Sequence, residues 1–293
     1  MNYKMARGGA TPPPSPHRRQ LCASLGLGTL LGATSAWAQA PAATKGQLAP
    51  WRMVVNEAVT GETNFFLLTS RYQPLADYVT QHFKGRNIGI EPVVNIERFM
   101  AVAQGQIKPD LVFGKSVNQL AKLVRDHGYQ PLVRRADPYK AAFIVGKDSK
   151  IKTLADIGQA KIIMPDEFAA TTAVARAELR RNNITNSVVM HVKFQEAVAQ
   201  QITSGMGQVG VVNPTIAKKW AEQGGRVLAE TQPVVNWSVL AGPGMQAEVV
   251  QQLREVLFGM NKNAAPVLGA LGVKEWAKAE RKEYLALLDY TKE

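Results

Sequence analysis

From Trp51 onward the chain alternates short apolar runs with segments of helical periodicity, and no other feature of the sequence limits its fold as strongly. Strands are predicted at 53–55, 90–94, 111–113, 141–145, 162–164, 188–192, 209–212, 227–229 and 237–240. Between them lie helical faces. Leu75, Tyr78, Val79 and Phe83 recur at helical spacing after Pro74, a residue suited to the first turn of a helix. Further helices are predicted around Phe99, Val102 and Ala103, and around Val117, Leu120, Ala121 and Val124. A short one follows at 153–157, then others at 171–181, 194–203 and Pro214–Glu222. Val249, Val250, Leu253, Val256, Leu257 and Met260 form a strongly amphipathic helix, followed by a helical tail through 284–288. Strands alternating with helices predict an α/β fold with mainly parallel sheets flanked by helices. No repeat of solenoid length is present. The roughly 250 residues that follow the first forty suit two lobes.

The first forty residues read differently. Segment 1–19 carries Lys4, Arg7, Arg18 and Arg19, no acid, and the run Pro12-Pro13-Pro14. Positions 21–37 are apolar or small and uncharged, and Ala36-Trp37-Ala38 has the small-residue pattern of a cleavage site. A basic end, an apolar run and a small-residue exit predict a signal peptide over 1–38, with a linker at 39–50. The apolar run is short for a membrane span, which needs about 20 residues. Arg18-Arg19 matches part of the twin-arginine signal while His17 and Cys22 depart from its usual flanks, so export to the periplasm is expected with the Sec and twin-arginine routes both open. The whole chain has 35 basic and 23 acidic residues, a formal charge of +12. Without the four basic residues of 1–38 it is +8. Those charges are scattered, with no basic stretch interleaved with aromatics, so no nucleic-acid partner is expected.

Catalytic and metal chemistry find little support. Cys22 is the only cysteine and leaves with the signal. The histidines, His17, His82, His127 and His191, show no ligand spacing. There is no Gly-x-Ser-x-Gly elbow and no Walker loop. Neither metal nor cofactor is expected, and the chain reads as a non-enzyme. An exported two-lobed α/β protein is suited to hold a small molecule between its lobes, where strand ends and helix N-termini meet.

Several motifs carry a family resemblance. Arg71-Tyr72-Gln73-Pro74-Leu75-Ala76-Asp77-Tyr78-Val79 resembles the first-helix start of phosphonate-type periplasmic substrate-binding proteins of ABC transporters. Gln104-Gly105-Gln106 with Asp110-Leu111-Val112-Phe113-Gly114 is similar to their strand and aromatic-glycine loop. Tyr129-Gln130-Pro131-Leu132-Val133 resembles the segment after their next helix. Ala142-Phe143-Ile144-Val145-Gly146-Lys147-Asp148-Ser149, then Lys152-Thr153-Leu154-Ala155-Asp156-Ile157, resembles their crossing into the second lobe. The similarity spans about 54–260.

The resemblance implies a type II periplasmic-binding-protein fold of two lobes joined by two strand crossings. Lobe one would be 51–139 with 237–293 returning to it, and lobe two 140–236. It implies capture of a small polar, anionic, phosphonate- or phosphate-like ligand for an ABC permease, by a monomer. Two alternatives share the fold: a ligand-binding partner of a sensor-kinase ectodomain, and a periplasmic enzyme using the same cleft. The site residues it implies are Tyr72, Phe113, Gly114, Lys115, Ser116, Thr171, Thr172 and Asn213. Five of them have a plainer structural role to weigh against binding: core packing for Tyr72, a solvated charge for Lys115, a helix cap for the two threonines, a turn for Asn213. The chain departs from the family pattern where Phe113 replaces a tyrosine, where alanines flank Thr171-Thr172, and where Asp166-Glu167 precede them. Those departures leave a different anion or an amine-bearing zwitterion as open as a phosphonate. Trp237 reads as hinge, cleft or packing.

Overall fold

The computed structural model describes residues 48–293. The expected signal peptide, and all of the linker but its last three residues, lie outside them. Two sheets organise the chain. The first has the strand order β11-β4-β10-β3-β1-β2, with β1 Trp51–Asn56, β2 Ile88–Pro92, β3 Leu111–Gly114, β4 Gln130–Arg135, β10 Ser238–Ala241 and β11 Trp276–Lys278. The second has the order β7-β6-β8-β5-β9, with β5 Ala142–Val145, β6 Lys161–Met164, β7 Val188–His191, β8 Val209–Val212 and β9 Arg226–Glu230. Around them pack α1 Phe65–His82, α2 Ile96–Gln104, α3 Val117–Asp126, α4 Ala170–Arg181, α5 Gln195–Thr203, α6 Pro214–Glu222, α7 Ala247–Asn263, α8 Ala265–Ala270 and α9 Arg281–Thr291.

The sheets are mixed, where the sequence predicted mainly parallel ones. β1 pairs in parallel with β2 and β3, and β6 with β7 and β8. The other pairings, all involving β4, β5, β9, β10 or β11, are antiparallel. The reason is topological. β4 carries the chain toward the second sheet and β10 brings it back, so the two must run in opposite directions. β5 and β9 stand in the same relation on the other side. The outgoing and returning strands meet at an isolated antiparallel bridge between Tyr139 and Val234.

This arrangement fixes where a site can form. Gly114, at the end of β3, pairs with Ser238, the first residue of β10. Val212, at the end of β8, pairs with Ala142, the first residue of β5. The carboxyl ends of the parallel strands of both sheets therefore point at the junction, where α/β proteins place their ligands.

Two local expectations are corrected. α1 begins nine residues before Pro74, because Asn64 caps it by accepting from the Phe66 and Leu67 N–H groups. Pro74 lies inside the helix and only forgoes the N–H that would reach back to Ser70. Tyr72 is thus a mid-helix residue. β4 was not predicted, since Pro131 breaks strand patterning. The structure absorbs it with an irregularity: Val239 faces Val133 but Leu240 faces Pro131, so Leu132 is the extra residue.

One continuous core runs beneath both sheets. It joins Val54, Val112 and Leu240 to Phe143, Ile162 and Val209, and it includes Tyr284, Leu287 and Leu288 of α9. α9 packs on α3 and on α4. Arg180 of α4 donates to the Thr291 carbonyl at 2.6 Å, and the Tyr290 hydroxyl donates to Glu178 at 2.8 Å. On the other face, α1 and α7 bury a separate cluster against the first sheet, among them Tyr72, Phe113, Leu253 and Trp276.

Candidate ligand-binding cleft

At the junction lies a cavity of about 440 Å³ with one wall from each sheet. Glu57 and Lys115, just past β1 and β3, stand on the first wall with Arg135 and Trp237. Thr171, at the start of α4, and Asn213, at the start of α6, stand on the second with Gln195.

The first wall is self-contained. Glu57 is 3 % exposed. Its carboxylate accepts from Lys115 Nζ at 2.5 Å, pairs with Arg71 at 3.1 Å, and accepts a short bond from the Tyr72 hydroxyl. Burial alone would raise its carboxyl, but Lys115, Tyr72 and Arg71 together hold it below its ordinary value. Burial drags the Lys115 ammonium down; Glu57 only partly restores it, because Arg71 and Arg135 repel the same charge. Lys115 also lies 4.0 Å from the centroid of the Trp237 ring, and Arg135 lies 4.7 Å from it. Arg135 in turn binds Asp137 at 2.6 Å.

The second wall is built differently. α6 is capped: the Asn213 side chain accepts from the Ile216 N–H at 2.9 Å. At α4 the N-cap residue is Ala169, which makes no side-chain cap. The first-turn N–H groups of α4 lack the partner that Asn213 gives α6, so this positive helix end opens on the cavity without an internal acceptor. The Thr171 hydroxyl stands there, 2.5 Å from the Tyr139 hydroxyl and 3.0 Å from Gln195 Nε2. Burial pushes the Tyr139 phenol up to about 12, which keeps it protonated.

Of the eight residues proposed from the sequence, three line this cavity: Lys115, Thr171 and Asn213. The other five lie elsewhere. Tyr72 and Phe113 are fully buried, their ring centroids 5.0 Å apart. Gly114 is buried against α3, and a Cβ there would press to 2.8 Å from the Leu120 side chain. Ser116 is 1 % exposed, with no hydrogen-bond partner for its hydroxyl. Thr172 turns away and donates to the carbonyls of Pro165 and Asp166. Asp166 binds its own loop through the Phe168 N–H, and neither it nor Glu167 lines the cavity. Glu57 and Gln195 were not among the candidates: an acid in a turn and an amide at a helix start carry no periodic signal.

The loop after β1 joins the walls. Ala58 adopts φ 58°, a left-handed conformation held by its N–H donating to Asn56 Oδ1 at 3.0 Å. That turn sets Val59 among Ile96 and Ala169 and presents its carbonyl to the Gln195 N–H at 3.2 Å. Farther along the seam, Asn118 and Gln119 of α3 both donate to the Phe168 carbonyl. Among the described residues no group of three or more His, Cys, Asp or Glu is placed to hold a metal, and no helix is long and apolar enough to cross a membrane.

The sequence profile of the phosphonate ABC-transporter periplasmic substrate-binding protein matches residues 67–284. The chain belongs to this family. The phosphonate-binding family comprises substrate-binding components of ABC transporters, as the motif resemblance implied. No curated protein matches the chain. Among solved structures, XAC2383 from Xanthomonas citri, bound to ATP, has a TM-score of 0.68 at 17 % identity, over 82 % of this chain and 97 % of that one. PhnD1 from Prochlorococcus marinus, in complex with methylphosphonate, has 0.67 at 14 %, over 83 % and 97 %. A binding-protein component of an ABC phosphonate transporter from Pseudomonas aeruginosa has 0.64 at 14 %, over 82 % and 85 %. These likenesses are of fold, and the fold is the type II periplasmic binding protein.

Proposed function

We propose that this family member captures a small oxyanion, of the phosphonate or phosphate kind, in the cleft between the sheets and hands it unchanged to an ABC permease. The observation that carries the reading is the uncapped start of α4, whose N–H groups and Thr171 hydroxyl meet a cavity of about 440 Å³. That volume lies within the range of small-molecule sites. The cations of the opposite wall are already paired with Glu57 and Asp137, so the helix dipole and hydroxyl donors of the second wall, with Lys219, which also lines the cavity, supply the attraction. Residues 51–139 with 237–293 form one lobe and 140–236 the other. The crossings at 139–141 and 234–237 serve as the hinge, and binding draws the lobes together. Arg18-Arg19 ahead of the apolar run directs export by the twin-arginine route.

Trp237 and Trp220 line the cavity and supply the assay. Titration with methylphosphonate, phosphate, phosphite and sulfate should change tryptophan emission saturably for at least one. A saturating ligand at a hundred times its Kd should add about 2.7 kcal/mol to stability. Absence of any response to all four oxyanions, with a response to a neutral solute, would refute the oxyanion reading. Recovery of a chemically altered ligand would refute delivery unchanged.

A further inference from the structure

The Gln195 side chain links the starts of α4 and α6 across the second wall of the cleft. It is 8 % exposed and opens α5. Its Oε1 accepts from the Asn213 N–H at 2.7 Å, its Nε2 donates to Thr171 Oγ1 at 3.0 Å, and its own N–H donates to the Val59 carbonyl at 3.2 Å. A backbone N–H can only donate, so the amide has a single orientation: oxygen toward Asn213, nitrogen toward Thr171. Thr171 Oγ1 therefore accepts from Gln195.

The second partner of that hydroxyl is Tyr139. Among the described residues the Tyr139 hydroxyl has Thr171 as its only hydrogen-bond partner. If Thr171 donated to it, a buried phenolic proton would be left without an acceptor, at the full desolvation cost of that group. Tyr139 therefore donates. Both lone pairs of Thr171 are then occupied, and its proton is left to donate into the cavity.

We propose that Gln195 is a positioning residue: it fixes Thr171 as a donor to the ligand and, through Val59, makes that polarity depend on the two walls being together. Three helix starts and the loop after β1 meet on this one residue. Separation of the walls breaks the Val59 bond and frees α5 to shift, which loosens the amide that orients Thr171. The left-handed Ala58 turn matters for the same reason, since it aims the Val59 carbonyl across the seam. The inference rests on the cleft being the ligand site.

Two variants separate orientation from bulk. Gln195→Glu keeps an acceptor for Asn213 but cannot donate to Thr171, so the threonine proton is drawn to it and away from the cleft. Gln195→Met keeps the bulk and removes the amide. In the full chain, methylphosphonate should bind Gln195→Glu about ten- to a hundredfold more weakly, as expected for loss of a hydrogen bond to a charged group. Its melting should stay near that of the parent. The second readout needs no ligand. Spin labels at Glu97→Cys and Lys218→Cys, in a Cys22→Ser background, report the separation of α2 from α6. The parent should give one distance and Gln195→Met an added longer one. Unchanged affinity in Gln195→Glu, or an unchanged distance distribution in Gln195→Met, would overturn the proposal. Should the parent itself not bind methylphosphonate, that ligand is refuted, and the distance distribution still decides whether Gln195 couples the walls.

Discussion

The two walls of the cleft use similar polar residues to opposite ends. On the first wall every charge is answered from within: Glu57 by Lys115, Arg71 and Tyr72, and Arg135 by Asp137. On the second wall the groups are mostly neutral, and the start of α4 has no side-chain cap. On the proposed reading the charged wall is inert toward ligand and the more neutral one receptive. What matters is whether each donor already has an acceptor. In the proposed reading the first wall is an abutment and the second carries recognition.

The largest expected effect strikes the first wall. Glu57→Gln leaves the Lys115 ammonium buried beside Arg71 and Arg135 without its anion. Stability in urea should fall by about 3–5 kcal/mol. A loss under 1 kcal/mol would mean that the pair is not structural. Acid should erase the same difference. Because the folded Glu57 carboxyl sits below its ordinary value of 4.5, its stabilisation is present above that pH. It is lost as pH falls through the folded value. The melting gap between parent and Glu57→Gln should therefore be widest near neutrality and close progressively below about pH 4.5. A gap that did not narrow at all on acidification below that pH would contradict this.

Smaller effects test the second wall. Thr171→Val should weaken oxyanion binding by about 1.5–3 kcal/mol by calorimetry, the worth of a hydrogen bond to a charged group. Thr172→Val, which loses only bonds to the Pro165 and Asp166 carbonyls, should cost about 1 kcal/mol of stability and leave affinity within twofold. Equal losses of affinity in the two variants would erase the distinction drawn between them.

The same contrast explains what the sequence could reveal. Periodicity located most strands and helices, because burial on one face leaves a repeating trace; Pro214–Glu222 was recovered at both ends, its start marked by the proline. It could not reveal sheet direction, which depends on which strands cross between sheets. It missed β11, three residues among charges, whose Trp276 backbone is held by the Asn261 side chain. It misjudged Tyr72, because Pro74 looks like a helix start and Asn64 is a weaker signal. Of the residues that line the cavity, Thr171, Asn213 and Lys115 were legible from family motifs. Glu57 and Gln195 were not, since a hub is defined by what converges on it in space, and its partners are scattered along the chain.

The placement of α9 ties the fate of one sheet to that of the other. Tyr284, Leu287 and Leu288 complete the core shared by both sheets. Unseating this helix would strip apolar cover from the two of them at once, so denaturant should melt them in a single cooperative transition rather than one after the other.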